Sequence, residues 1–133
     1  KSIILIDDSL VRGTTCHKIV KMLYEAGAKE VHVRIACPEI KFPDFYGVDM
    51  PTKEELLANK KTNEEMCQII NAKTLKFLTL DGLYEALGKG KRNSTYPQFC
   101  DHYFTGDYPI KPEDNLNELK ITQLSLLSSK SNN

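Results

Sequence analysis

The spacing of hydrophobic and polar positions changes several times along the chain, and each change predicts an element. Ile3, Ile4, Leu5 and Ile6 form an unbroken apolar run, the signature of a strand buried on both faces. Beyond a polar stretch the period becomes helical. Cys16, Ile19, Val20 and Leu23 recur at i, i+3, i+4 and i+7, and Gly27 is placed to stop the helix. Alternation then returns, with Val31, Val33, Ile35 and Cys37 set against His32, Arg34 and Ala36. Strand, helix, strand is a βαβ unit, whose strands should be parallel and whose crossover should be right-handed. The predicted class is α/β, a parallel sheet with flanking helices.

Downstream the pattern continues in shorter pieces. Residues 38–51 are rich in proline and aromatics without a clear period, so an ordered loop is expected. Thr52 with Glu55 forms a capping-box pattern that predicts a helix through Asn59. Thr62 with Glu65 repeats it for a second helix, with Met66, Ile69 and Ile70 on one face. Leu75 to Leu80 suit a short strand. Asp81 is placed to cap a helix carrying Leu83, Tyr84 and Leu87, and Gly88 and Gly90 end it. Lys89, Lys91 and Arg92 read as a solvated basic loop. Residues 95–108 are aromatic and should pack back on the domain. Two parts are expected: residues 1–115 as one folded unit, and 116–133 as a tail. Leu116, Leu119, Ile121, Leu124, Leu126 and Leu127 suit a docking helix there, before a disordered end.

The chemistry concentrates between the first strand and the first helix. Asp7 and Asp8 stand at a strand's carboxyl end, where open α/β sheets present functional groups. Adjacent carboxylates can accept hydrogen bonds from vicinal ribose hydroxyls or hold Mg²⁺. Gly13 lets backbone amides approach an anion closely. Thr14 and Thr15 are candidate N-caps whose hydroxyls can also reach a phosphate. The helix N-terminus favours negative charge, and Arg12 adds a full positive one. Acids for hydroxyls followed by amides for a phosphate suit a sugar phosphate.

Bulk properties narrow the picture. The 133 residues are 41% hydrophobic and 27% charged with a formal net charge of zero, an ordinary single domain. Neutrality argues against a nucleic-acid surface held by bulk charge. No run approaches the roughly 18 apolar residues of a membrane span. Cys16, Cys37, Cys67 and Cys100 lack a CxxC pair and read as unpaired thiols. His17, His32 and His102 show no spacing for a metal or a catalytic triad, so structural or surface roles are expected.

The segment from Ile3 to Thr15 resembles the phosphoribosyl pyrophosphate (PRPP) signature of type I phosphoribosyltransferases. The form Asp7-Asp-Ser-Leu-Val-Arg-Gly-Thr-Thr15 is most similar to the glutamine amidophosphoribosyltransferase family. Further stretches agree, from Glu25 to Val31, Pro38 to Pro43, Tyr46 to Pro51 and Phe104 to Pro109. The resemblance implies a partial type I phosphoribosyltransferase fold, the carboxy-terminal portion of the transferase domain. It implies transfer of glutamine-derived ammonia to PRPP, giving phosphoribosylamine at the start of purine synthesis. Asp7 and Asp8 would be catalytic, holding the ribose hydroxyls and Mg²⁺. Ser9, Arg12, Gly13, Thr14 and Thr15 would anchor the 5-phosphate, and Tyr46 with Leu57 would lie near the ammonia route. Purine nucleotides would share the loop.

The family's N-terminal glutaminase domain and the first part of its transferase domain are not in this sequence. A fragment inactive alone, from a cytoplasmic homo-oligomer, is therefore expected. Some members carry a [4Fe–4S] centre whose cysteines fall at the positions of Asp44, Pro97 and Cys100. Only Cys100 is a cysteine here, so no iron–sulfur cluster is expected. Two alternatives stand beside this reading. Residues 3–9 also resemble the first strand of response-regulator receiver domains, and Asp49-Met-Pro51 imitates the segment after their phosphorylated Asp, although residues 41–48 are too broken to make the strand a receiver needs. A non-catalytic regulatory phosphoribosyltransferase homologue is the other.

Overall fold

The computed structural model describes residues 1–48 and 51–110. The tail expected over 116–133, and Asp49 and Met50, lie outside the described residues. Three parallel strands make the sheet in the order β1-β2-β3, namely β1 (Ser2–Asp7), β2 (Glu30–Ile35) and β3 (Thr74–Phe77). Ile3 lies opposite Val31, Leu5 opposite Val33 and Asp7 opposite Ile35, and Val33 continues the row to Leu75. The α1 helix (Thr14–Glu25) crosses from β1 to β2, and Gly27 follows its end at φ 93°. The helical period of the sequence is borne out, because Cys16 and Val20 enter the core with Val31, Val33, Ile35, Met66, Ile70 and Leu75.

The expectation that the first strand is buried on both faces is overturned. Ile4 is 65% exposed and Ile6 72%, while Leu5 packs on the core. The core cluster lies on one face of the strand, and among the described residues the other face is left open. On the other side Ile4 and Ile6 stand in register with His32 and Arg34, whose side chains bond to Thr74.

Between residues 52 and 60 one expected helix becomes two short pieces. A 3₁₀ turn (Lys53–Glu55) opens with the Thr52 amide donating to Glu55 at 3.1 Å, as its capping box predicts. Leu56 then goes extended at ψ 116° and α2 (Leu57–Lys60) starts afresh. The break lets Leu56 become fully buried while the Leu57 amide donates to the Val11 carbonyl at 2.9 Å. The second capping box is realised as drawn. Thr62 caps α3 (Asn63–Ile69), accepting from the Glu65 amide at 3.2 Å while its own amide donates to the Glu65 carboxylate at 2.8 Å. Met66 and Ile70 are buried, but Ile69 turns outward. Thr79, not Asp81, caps α4 (Leu80–Ala86), because its hydroxyl accepts from the Gly82 amide at 3.0 Å.

The aromatic stretch does pack back, ending in α5 (His102–Thr105). Its anchor is ionic. Arg92, expected in solvent, is largely buried and donates to both Asp101 oxygens (2.6 and 3.1 Å) and to Asp107 (2.7 Å). The buried Tyr84 hydroxyl adds a bond to Asp101 at 2.7 Å. Burial penalises the Asp101 carboxylate, yet hydrogen bonds from Arg92, Tyr84 and Thr105 outweigh it and hold the group below the ordinary carboxylate range. Its stabilisation is therefore complete above that range and is lost as pH falls through the lowered folded value. Asp101→Asn should cost about 3 kcal/mol and flatten the acid side of the stability profile, read by urea unfolding at several pH values.

Candidate functional site

The β1 strand delivers Asp7 to the carboxyl edge of the sheet, and residues 7–16 wrap a cavity of about 400 Å³ before α1 begins. The structure brings together every loop residue singled out in the sequence: Asp7, Asp8, Ser9, Arg12, Gly13, Thr14 and Thr15 all line it. The Asp7 carboxylate accepts the Asp8 amide at 3.0 Å, and the Ser9 hydroxyl donates to Asp8 at 2.8 Å. These local bonds hold the acids at the rim and leave further lone pairs for hydroxyls or a cation.

Gly13, not a threonine, is the N-cap. It sits at φ 78° with no side-chain cap, so Thr14 and Thr15 become the first residues of the helix proper. The first intrahelical bond runs from the His17 amide to the Gly13 carbonyl at 2.9 Å. Amides ahead of His17 therefore have no partner within the helix, and α1 presents them to the cavity with its positive end. With both threonine hydroxyls beside them, they form an anion cradle.

Two further contacts shape the loop. Leu10 is buried in the core and pins the middle of the turn. Leu57 presses against Gly13 so closely that a Cβ on Gly13 would lie 2.8 Å from Leu57 Cδ2. Leu57 thus backs Gly13 from outside the cavity lining. Tyr46 does not join the site. Its hydroxyl donates to the Ile110 carbonyl at 2.6 Å, and its ring meets His102 edge-on. Sequence reasoning missed Glu55, which pairs with Arg12 at 3.2 Å across 43 residues of chain. No local pattern could have signalled that contact.

The two thiols nearest the loop are suppressed. Burial, then the Asp7 charge, pushes Cys16 up to about 11, and burial with Asp8 does the same to Cys37. Among the described residues no group of three or more His, Cys, Asp or Glu side chains could hold a metal. Asp7 and Asp8 alone fit an ion such as Mg²⁺, which takes one or two carboxylates and completes its shell with water and substrate oxygens. Among the described residues no helix is long and apolar enough to cross a membrane. Nor does any strand form over residues 41–48, so the receiver alternative lacks the element that it needs.

Comparison with known proteins agrees with the loop geometry. No family model matches the chain. It is 53% identical over 97% of its length to an amidophosphoribosyltransferase of Rhizobium etli, covering 26% of that protein. It is 49% identical over 86% of its length to amidophosphoribosyltransferase 1, chloroplastic, of Arabidopsis thaliana, covering 19% of it. Glutamine PRPP amidotransferase from B. subtilis, complexed with ADP and GMP, superposes at a TM-score of 0.73 with 48% identity over 81% of this chain. The chain spans between about a fifth and a quarter of the length of these relatives.

Gly13→Ala should destabilise the protein by about 2 kcal/mol, because it combines a left-handed backbone with the Leu57 contact. Urea unfolding checks this.

Proposed function

We propose that this chain, a homologue of the amidophosphoribosyltransferases over the part of their length that it spans, supplies the PRPP-binding loop of such an enzyme. The reaction is the transfer of glutamine-derived ammonia to C1 of PRPP with loss of pyrophosphate, giving 5-phosphoribosylamine for purine synthesis. The observation that carries this reading is the juxtaposition at one cavity of two strand-end carboxylates and the uncapped N-terminus of α1. A 5-phosphate suits the amides of residues 13–16 and the hydroxyls of Thr14 and Thr15. The ribose then extends toward Asp7 and Asp8, which accept from its hydroxyls.

Positive charge gathers on the ribose as the bond to pyrophosphate loosens, and two nearby carboxylates stabilise it where it develops. Anchoring the phosphate at one end fixes C1 for attack, so positioning supplies the remainder. Mg²⁺, held by Asp7 or Asp8, would neutralise the leaving pyrophosphate. Purine nucleotides carry the same 5-phosphate and sugar, so inhibition by occupation of this loop follows from the same geometry. The other half of the PRPP site and the source of ammonia belong to the rest of a cytoplasmic, homo-oligomeric enzyme, and the segment is inactive by itself. Tyr46 sits apart from the loop and Leu57 sits against it. Of the two, Leu57 is the better placed to border an ammonia path to C1.

In the intact enzyme, Asp7→Asn and Asp8→Asn should each lower kcat by about 100-fold with a smaller change in KM, measured by phosphoribosylamine formation. An amide-resolved titration with Mg²⁺ and PRPP should centre its shifts on residues 7–15. Shifts confined elsewhere, with both variants fully active, would sink the assignment.

A further inference from the structure

Cys100, His102 and Asp44 meet in a line, although Asp44 lies 58 residues from His102 in the chain. The His102 Nε2–H donates to Asp44 Oδ1 at 2.8 Å, and both side chains are only 1% exposed. The other Asp44 oxygen accepts the Tyr46 and Val48 amides at 2.9 and 2.7 Å. Burial opposes the charge on Asp44, but the bonds from Val48, Tyr46, His102 and Tyr103 hold it below the usual carboxylate range. An ionised carboxylate can only accept, so the ring proton of His102 lies on Nε2. The lone pair on Nδ1 then faces Cys100 Sγ at 3.2 Å.

The ring cannot turn away. Tyr103 and Tyr108 pack against it at 4.0 and 5.0 Å between centroids, and Tyr46 meets its edge at 5.1 Å. Cys100 differs from the other thiols in both respects that matter. It is exposed, and its S–H points at a base. Cys37 and Cys67 instead donate to carbonyls, each at 3.2 Å, and burial keeps Cys16, Cys37 and Cys67 protonated.

We propose that Cys100, His102 and Asp44 form a thiol–imidazole–carboxylate relay that makes Cys100 a site of oxidation by small hydroperoxides. The thiol proton passes to His102 Nδ1, and Asp44 stabilises the imidazolium. The sulfur attacks the hydroxyl oxygen of the hydroperoxide, so an S–O bond forms and the O–O bond breaks. Two electrons leave sulfur, which becomes a sulfenic acid. The departing oxygen takes the proton from Nδ1 and leaves as water or an alcohol.

The test is sub-stoichiometric hydrogen peroxide on the intact protein with a sulfenic-acid trap, followed by peptide mass spectrometry. A synthetic peptide spanning residues 96–104 gives the rate for the same cysteine without the relay. Cys100 should be trapped first of the four thiols, and about tenfold faster than in the peptide. His102→Gln keeps a donor toward Asp44 but removes the base that takes the thiol proton, and should bring Cys100 back to the peptide rate while it stays exposed. A native rate no faster than the peptide's overturns the relay, whether or not the variant folds. So does a folded His102→Gln protein with the native rate.

Discussion

Parallel pairing of β1 with β2 is the constraint from which the candidate site follows. A parallel pair cannot be closed by a tight turn, so the chain must cross one face of the sheet before it returns. Here the crossing is α1, and its N-terminus is forced to lie at the carboxyl end of β1. Strand-end carboxylates and helix-start amides are thereby brought within one short loop. Gly13 completes the device, because its backbone turns through positive φ against Leu57, where a side chain would not fit. The anion cradle is a property of backbone direction more than of side-chain choice.

The second part of the fold depends on buried charge that is fully answered. Arg92, Asp101 and Tyr84 form one network, and Asp44 with His102 forms another. No buried side-chain nitrogen or oxygen among the described residues lacks a partner. Such groups contribute little when paired but leave a large penalty when one partner is removed. The first network holds residues 92–107 against Tyr84 of α4, and the second ties His102 to the loop over 38–48. The Tyr103 carbonyl, which accepts both the Lys41 and Phe42 amides, makes the same tie through the backbone.

The elements with local signals were legible before the structure. The helical spacing of Cys16 to Leu23, the alternation over β2 and the capping box at Thr62 each follow from chemistry within one turn or one pleat. The loop from Asp7 to Thr15 was legible for the same reason, since its parts are adjacent in sequence. What misled was context. An unbroken apolar run does not say which part of a protein covers each of its faces, so the exposure of Ile4 and Ile6 in a segment spanning about a quarter of its relatives could not be read from residues 3–6. Arg92 looked solvated because Asp101 and Asp107 are distant in the chain, and His102 looked inert because Asp44 is more distant still. Leu56 broke a helix to bury itself, a tertiary demand that a capping pattern does not record.

The pair between Arg12 and Glu55 bears on how an anion would enter. Both side chains are about half exposed, at 57% and 48%, so their attraction is screened and worth no more than about 1 kcal/mol. A phosphate dianion reaching the amides of α1 could draw the guanidinium away from Glu55 at little cost and gain a bidentate contact instead. In the absence of ligand, Glu55 partly neutralises Arg12 and competes with weaker anions for it. A chain of zero net charge can thus still favour phosphate, since the field that matters is set by one helix end, one glycine and one exchangeable ion pair.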